Sequence, residues 1–467
     1  MLPTTPEFFC FLALIFIGYW LVFRVRLAGL VLIVLANYFF YAKWGFIYLA
    51  LIPAASGIDF WIGRQLARSQ KPKIRRALVT LSIMMNVGLI GFCKYLPFLL
   101  GGVEQWSGRR FAAATWTLPL GLSFYGFQAM TYTIDIYRRD AKPIANVWAY
   151  LSSVSFFPTT LAGPITRVAA LAPQWEKPNR MLSREEGGRA LFLIGLGLMK
   201  KFLIADYLGV NLVNRVFDLP TLYSGGEVLV AVYAYAFQLY YDFSGYTDIA
   251  IGAGLLLGVQ LPINFNRPYI AENIADFWRR WHISLSNWLR DYLYFSMPGK
   301  RTRWMPYISL IITFTIGGLW HGANWTFLVW GLLHGIGLAV VRFGQSLRRN
   351  KKPSAHWAFR VMRIVITFHF VTFAWIFFRA ADLHAAGQIL AQIASFHFAF
   401  DNVSGPFVLI LGIAIALHLT PKTWYRKLQQ TYCASPAVVQ ALAMVLLVIA
   451  IQYVGATGAT PFIYTKF

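Results

Sequence analysis

Two histidines in tryptophan-rich surroundings are the residues best placed to do chemistry. His282 lies in DFWRRWHISLSNWLRDYLY (276–294), and His321 lies in GGLWHGANWTFLVWGLLHG (317–335). A neutral imidazole near physiological pH can take a proton from an attacking hydroxyl and later return it to a leaving group. His321 stands between Gly317/Gly318 and Gly322, where glycine lets a helix break and lets backbone or ligand approach the ring. The run around it is apolar and long enough to enter a bilayer. An ionisable group at membrane depth costs about 2.5 kcal/mol or more, so it is a functional candidate by default. A structural histidine donating to a backbone carbonyl is the alternative, and the residues alone leave both open.

Around His282, Trp278, Trp281, Leu285, Trp288, Leu289 and Tyr292 recur at intervals of three and four, which predicts one amphipathic interfacial helix. Arg279, Arg280 and Arg290 offer planar forks suited to phosphate, and Lys300, Arg301 and Arg303 follow in the next basic stretch. An ordinary snorkelling, aromatic-belt helix would show the same pattern. Asp242 and Asp248 in YYDFSGYTD are carboxylates in an apolar run. They could orient a histidine, line a proton path or cap a helix break at Ser244-Gly245. His334, 13 residues beyond His321, reads as a supporting or structural residue, as do Trp320 and Asn324; His369 and Arg379 are weaker candidates. No nucleophile elbow, phosphate loop or HExxH is present. The three cysteines, Cys10, Cys93 and Cys433, suggest neither a metal site nor a disulfide framework.

The elements that must position these residues are membrane helices. The chain has 467 residues, 58% hydrophobic and only 13% charged, against about 25% charged in a soluble domain. Apolar runs at 7–23, 27–43, 45–63, 77–97 and 117–136 are followed by a blurred stretch over 143–225, an apolar run at 226–260, and further runs at 305–320, 323–341, 361–378, 405–420 and 436–456. This predicts an all-α polytopic membrane protein with about ten to eleven spanning helices plus re-entrant and interfacial ones. Pro158, Gly163 and Pro164, and then Gly195 and Gly197, suggest half-helices in the blurred stretch, and such broken backbone belongs around a cavity. A single membrane domain is expected, divided as N-terminal helices (1–142), core (143–341) and C-terminal helices (342–467).

The net charge of +24 does not indicate a nucleic-acid partner, because the basic residues collect in short connectors such as 64–76 and 342–363. That is the positive-inside pattern. Counting crossings from those connectors places both termini outside. Met1 to Glu7 carries no Lys or Arg, so the first run is expected to remain as a helix and not to be a cleaved signal peptide.

These motifs resemble the membrane-bound O-acyltransferase (MBOAT) family, in its bacterial branch with the alginate O-acetyltransferase membrane subunit. The likeness rests on FWRRWHISLSNWLRDYLY and GGLWHGANWTFLVWGLLHG, on DFSGYTDIAIGAGLLLGVQLPINFNRPY, on the opening FFCFLALIF…LVLIVLANYFFYAKW and on the closing PFIYTKF. It implies transfer of an acyl group, usually acetyl, onto a hydroxyl, with the family's key histidine at His321 and an assisting position at His282. It further implies a helical ring around a central tunnel in the bacterial inner membrane. The donor would be acetyl-CoA or another cytoplasmic acyl thioester, with no permanently bound cofactor. The acceptor would be an extracytoplasmic polysaccharide, or a periplasmic partner that finishes the transfer. After Tyr294 the chain reads FSMPGKRTRW where alginate-type subunits carry a PLGG-like turn, which leaves the polysaccharide open. D-Alanyl transfer to teichoic acid is the neighbouring alternative. From other classes stand a proton-coupled transporter or flippase using His321, Asp242 and Asp248, and a scaffold that only recruits a transferase.

Overall fold

The structure, a computed structural model, describes residues 2–43, 45–108, 121–161, 163–176, 181–297, 302–347 and 356–454. The described residues form helices and no strand. Three helices, Pro72–Tyr95, Trp325–Leu347 and Trp357–Arg379, are long and apolar enough to cross a membrane, and Gly405–Leu419 with Lys422–Ala434, bent by 95°, makes a fourth if counted as one span. Pro6–Val22, Arg26–Ala42 and Ala437–Tyr453 are apolar but shorter. Large apolar side chains face outward along these helices, as at Leu21 (77% exposed) and Leu446 (65%). That surface suits lipid, where it costs nothing, and would be an aggregation liability in water.

The chain divides into two compact units, Met1–Ile194 with Ile249–Pro262, and Gly195–Asp248 with Ile263–Phe467. In the first, helices Tyr48–Arg68, Pro72–Ile90 and Leu122–Arg138 enclose a core of Ile52, Ile62, Leu66, Tyr125, Tyr132 and Tyr150. Asp59 is buried there and accepts hydrogen bonds from Ser82 Oγ at 2.6 Å and Asn86 Nδ2 at 2.9 Å. The Arg75 guanidinium donates to the carbonyls of Leu66, Ile136 and Tyr137, satisfying orphaned groups at two helix C-termini. The connector expected after residue 97 is itself helical over Leu96–Ser107. Around Pro158 the chain does break into short pieces, Val147–Val154 and Phe157–Thr160. This unit also holds a cavity of about 640 Å³ lined by Tyr19, Trp20, Phe23, Gln174, Trp175 and Glu186 among others, with no histidine in its wall.

The second unit corrects two expectations. Gly195 and Gly197 do not interrupt a helix: Arg184–Leu198 runs on as π-helix through Met199–Asp206 and Gly209–Val213 into Asn214–Asp218. Nor does Ser244-Gly245 mark a break, since Gly225–Leu256 is one 32-residue helix. Gly245 serves close approach instead: a Cβ there would lie 2.7 Å from the Gly197 carbonyl oxygen. The basic residues at 348–352 and the closing PFIYTKF lie outside the described residues.

Candidate functional site

His321 is the last residue of the helix Met305–His321, and after a three-residue turn the chain continues as Trp325–Leu347. Asn324 shapes that turn. Its Oδ1 accepts from Thr326 N at 3.2 Å, and its Nδ2 donates to the Ala381 carbonyl at 2.7 Å. The two helices pack closely because glycines line their seam. A Cβ at Gly318 would strike the Phe327 carbonyl, one at Gly331 the Phe314 carbonyl, and one at Gly335 would lie 2.7 Å from Ile311 Cα. His321 is buried (4% exposed) in a wall of rings, with Trp320 at 4.8 Å, Phe378 at 5.1 Å and Trp330 at 5.2 Å between centroids.

His334 lies further along the second helix and is fully buried. Its ring stands 4.7 Å from Trp330 and 5.1 Å from Trp278. The Trp278 indole N–H donates to His334 Nδ1 at 3.2 Å. An indole nitrogen can only donate, so Nδ1 carries the lone pair, and in the neutral ring the proton sits on Nε2.

His282 departs from the single amphipathic helix expected over 276–294. Two short helices, Ile274–Trp278 and Ile283–Trp288, flank it, and a π-helical turn, Leu289–Leu293, follows. The break falls at His282 itself, at φ 41° and ψ 55°. Left-handed backbone at a residue with a Cβ costs about 1–2 kcal/mol, and a network repays it here. Asn264 Oδ1 accepts from Ser284 N at 3.1 Å and Ser284 Oγ at 2.9 Å, and it meets His282 Nδ1 at 3.1 Å. A backbone N–H can only donate, so the Asn264 atom is the oxygen. His282 Nδ1 must then bear the proton, leaving Nε2 as the lone-pair nitrogen. This segment is too polar to span, and burial pushes the His282 imidazole down to about 3, so the ring is neutral at physiological pH. A neutral ring whose only N–H is committed to Asn264 has none left to polarise a carbonyl. That protonation pattern suits a base or a positioning residue. Rings link it to His321 in the order Phe243, Trp281, Trp375, Trp330.

The carboxylates pair with lysines. Asp242 Oδ1 pairs with Lys201 Nζ at 2.7 Å, Lys201 also meets Asp206 at 2.8 Å, and Asp248 pairs with Lys200 at 2.6 Å. Asp242, Asp206 and Lys201 are almost wholly buried. The arginines also have partners. Arg279 and Arg280 share Asp276, at 3.5 and 3.0 Å, and Arg290 pairs with Asp291 at 2.7 Å. Arg279 is two-thirds exposed and keeps donors for a phosphate. Arg303 covers the Trp304 ring at 5.1 Å, while Lys300 and Arg301 lie outside the described residues. His369 is bonded to its own helix at Val365 O, and Arg379 to Asn214. No cluster of three metal-ligating side chains occurs among the described residues.

Asn264, Trp278 and Trp330 were not singled out in the sequence. In the sequence Trp278 is one member of an apolar stripe, and Asn264 lies 18 residues from the histidine it fixes.

Residues 90–384 match the family model described as MBOAT, membrane-bound O-acyltransferase family. The chain is 37% identical over 421 residues to a protein from Helicobacter pylori named peptidoglycan O-acetyltransferase, covering 84% of this chain and 79% of that protein. It is 38% identical over 396 residues to the probable alginate O-acetylase AlgI of Azotobacter vinelandii, covering 83% and 77%. Similarity extends, at 31% over 279 residues and 56% and 68% of the two chains, to the teichoic acid D-alanyltransferase of Bacillus subtilis.

Proposed function

The chain belongs to the membrane-bound O-acyltransferase family, and from that premise we propose that it moves an acetyl, or similar short acyl, group from a cytoplasmic thioester such as acetyl-CoA toward a hydroxyl of an extracytoplasmic polysaccharide, directly or through a periplasmic partner. That it is a membrane O-acyltransferase follows from the family and from the relatives covering most of its length. The acetyl group follows the names of those relatives, which act on peptidoglycan and on alginate. D-Alanyl transfer is the second reading, favoured by the shorter similarity to the teichoic acid enzyme. The setting we propose is the bacterial inner membrane, with about ten to eleven crossings around a tunnel and both termini outside.

The observation that carries the site assignment is His321, buried at the turn between two tightly packed helices and enclosed by Trp320, Trp330 and Phe378. His321 takes the proton of the acceptor hydroxyl as its oxygen attacks the thioester carbonyl carbon. A C–O bond forms, and the carbonyl electrons move onto oxygen. When the carbonyl re-forms, the C–S bond breaks and the protonated His321 gives its proton to the departing thiolate. His282 contributes the lone pair on Nε2, in an orientation set by Asn264. Arg279, Arg280, Arg290 and Arg301 hold the donor's phosphates.

Labelled acetyl transfer from acetyl-CoA, measured in membranes holding wild type or His321→Ala at matched folded expression, tests this. Transfer in the wild type, reduced by about 10²–10⁴-fold in the variant, is expected. Equal transfer in both removes His321 from the chemistry. A wild type idle with acetyl-CoA and active with a D-alanyl thioester gives the second reading.

A further inference from the structure

Three buried polar side chains on the helix Trp325–Leu347 share one feature: among the described residues, Thr326 Oγ1, Trp330 Nε1 and His334 Nε2 meet no hydrogen-bond partner. None of the three residues exposes more than 1% of its surface. They occur at i, i+4 and i+8, so they form a stripe along one side of the helix. A buried donor left unsatisfied costs about 1–3 kcal/mol, and native proteins keep few of them. Three stand in register on this helix, starting five residues from His321. Trp330 lies between the two histidines, its ring 5.2 Å from His321 and 4.7 Å from His334.

The protonation pattern sets what the stripe binds. Trp330 Nε1 can only donate. His334 Nε2 is a donor too, because the Trp278 indole occupies Nδ1. Two buried N–H groups on one stripe, with no acceptor among the described residues, call for an oxygen that carries negative charge. In acyl transfer that atom is the carbonyl oxygen of the thioester, which becomes an oxyanion when the hydroxyl attacks.

We infer that Trp330 Nε1–H and His334 Nε2–H are the cradle for this oxyanion, with Trp278 a positioning residue that holds His334 in the donating tautomer. The inference rests on the acyl-transfer reading above and adds to it the electrophilic half of the site, the part His282 cannot supply. Electrons pushed onto the carbonyl oxygen are held by the two N–H groups and return as the C–S bond breaks, with no proton leaving either donor.

The test is kcat and donor KM per folded molecule, in detergent or nanodiscs, for labelled acetyl transfer by wild type, Trp330→Phe, His334→Leu, His334→Gln and Trp278→Phe. Trp330→Phe and His334→Leu should each lower kcat about 10²–10³-fold with donor KM little changed, as loss of an oxyanion donor does. His334→Gln, which restores an N–H, should recover part of the loss, and Trp278→Phe should show a smaller kcat defect of the same kind. Wild-type kcat in folded Trp330→Phe overturns the cradle, as does equal activity of His334→Gln and His334→Leu. A purely structural role would reduce the yield of folded protein and leave kcat per folded molecule unchanged. Wild type that transfers no acyl group from any thioester defeats the acyl-transfer reading itself, an outcome distinct from variants matching an active wild type.

Discussion

Asn264 controls His282 with a single oxygen that faces three donors. Asn264→Asp keeps the acceptor and strengthens it. Asn264→Leu removes it and lets the imidazole take either tautomer. We expect Asn264→Asp to remain active and Asn264→Leu to lose kcat by at least about tenfold, the scale of one positioned acid–base contact. Equal kcat in the two folded variants would show that the tautomer of His282 does not matter. The same histidine gives a pH signature. Its pKa falls from an ordinary 6.5 to about 3 on folding, so between those values the unfolded chain binds the extra proton. Its contribution to stability is complete above pH 6.5 and declines as pH drops from 6.5 toward 3. Thermal melts of wild type against His282→Asn, whose side chain tolerates the left-handed backbone, should converge as the buffer is acidified through that window.

At the scale of elements, the helix pair flanking Gly322 is registered by two stripes that run side by side on Trp325–Leu347. Gly331 and Gly335 face the backbone of Met305–His321, while Trp330 and His334 precede each glycine by one position. A methyl at Gly331 or Gly335 has backbone to displace, so the helices must part. We expect Gly335→Ala to cost about 1–3 kcal/mol by overpacking, read as a lower melting temperature, together with a fall in transfer. An unchanged melting temperature would mean that the seam yields. Much of this element was legible beforehand, because its glycines, its length and the turn at His321 are local features of one continuous run. The helix expected over 276–294 was not legible. Its spacing of Trp and Leu satisfies a helical period, yet the chain breaks at His282, where His282 and Ser284 donate hydrogen bonds to Asn264, which no local periodicity encodes. Gly195, Gly197 and Gly245 misled in the opposite direction: sequence shows a missing side chain, and only packing shows whether it serves a break or a close approach.

For the whole molecule, the charges divide into those that meet solvent and those that are sealed. Arg279 and Arg290 are more than half exposed and share their carboxylates' charge with water. Neutralising Arg279 and Arg280 with glutamine should raise the donor KM, and the exposed Arg279 pair should contribute only about 0–1 kcal/mol to the fold. Unchanged KM for acetyl-CoA would remove them from phosphate binding. Lys201 is different. Lys201→Met strands Asp206 and Asp242 without their cation, and breaking a buried pair costs about 3–5 kcal/mol. Replacing all three by neutral residues should restore much of the melting temperature, and failure to do so would show that the lysine acts by shape alone.

That sealed cluster also bears on how the protein is made. Asp206 and Asp242 are separated by 36 positions (242 − 206), yet they share one lysine. A charged residue stranded at the centre of a bilayer costs about 2.5–3.5 kcal/mol, so the first segment gains little by entering lipid alone. At about 5–20 residues per second, Asp242 emerges roughly two to seven seconds after Asp206. During that interval Lys201 has Asp206 as a counter-charge five positions on, and the second carboxylate joins only when the later helix arrives.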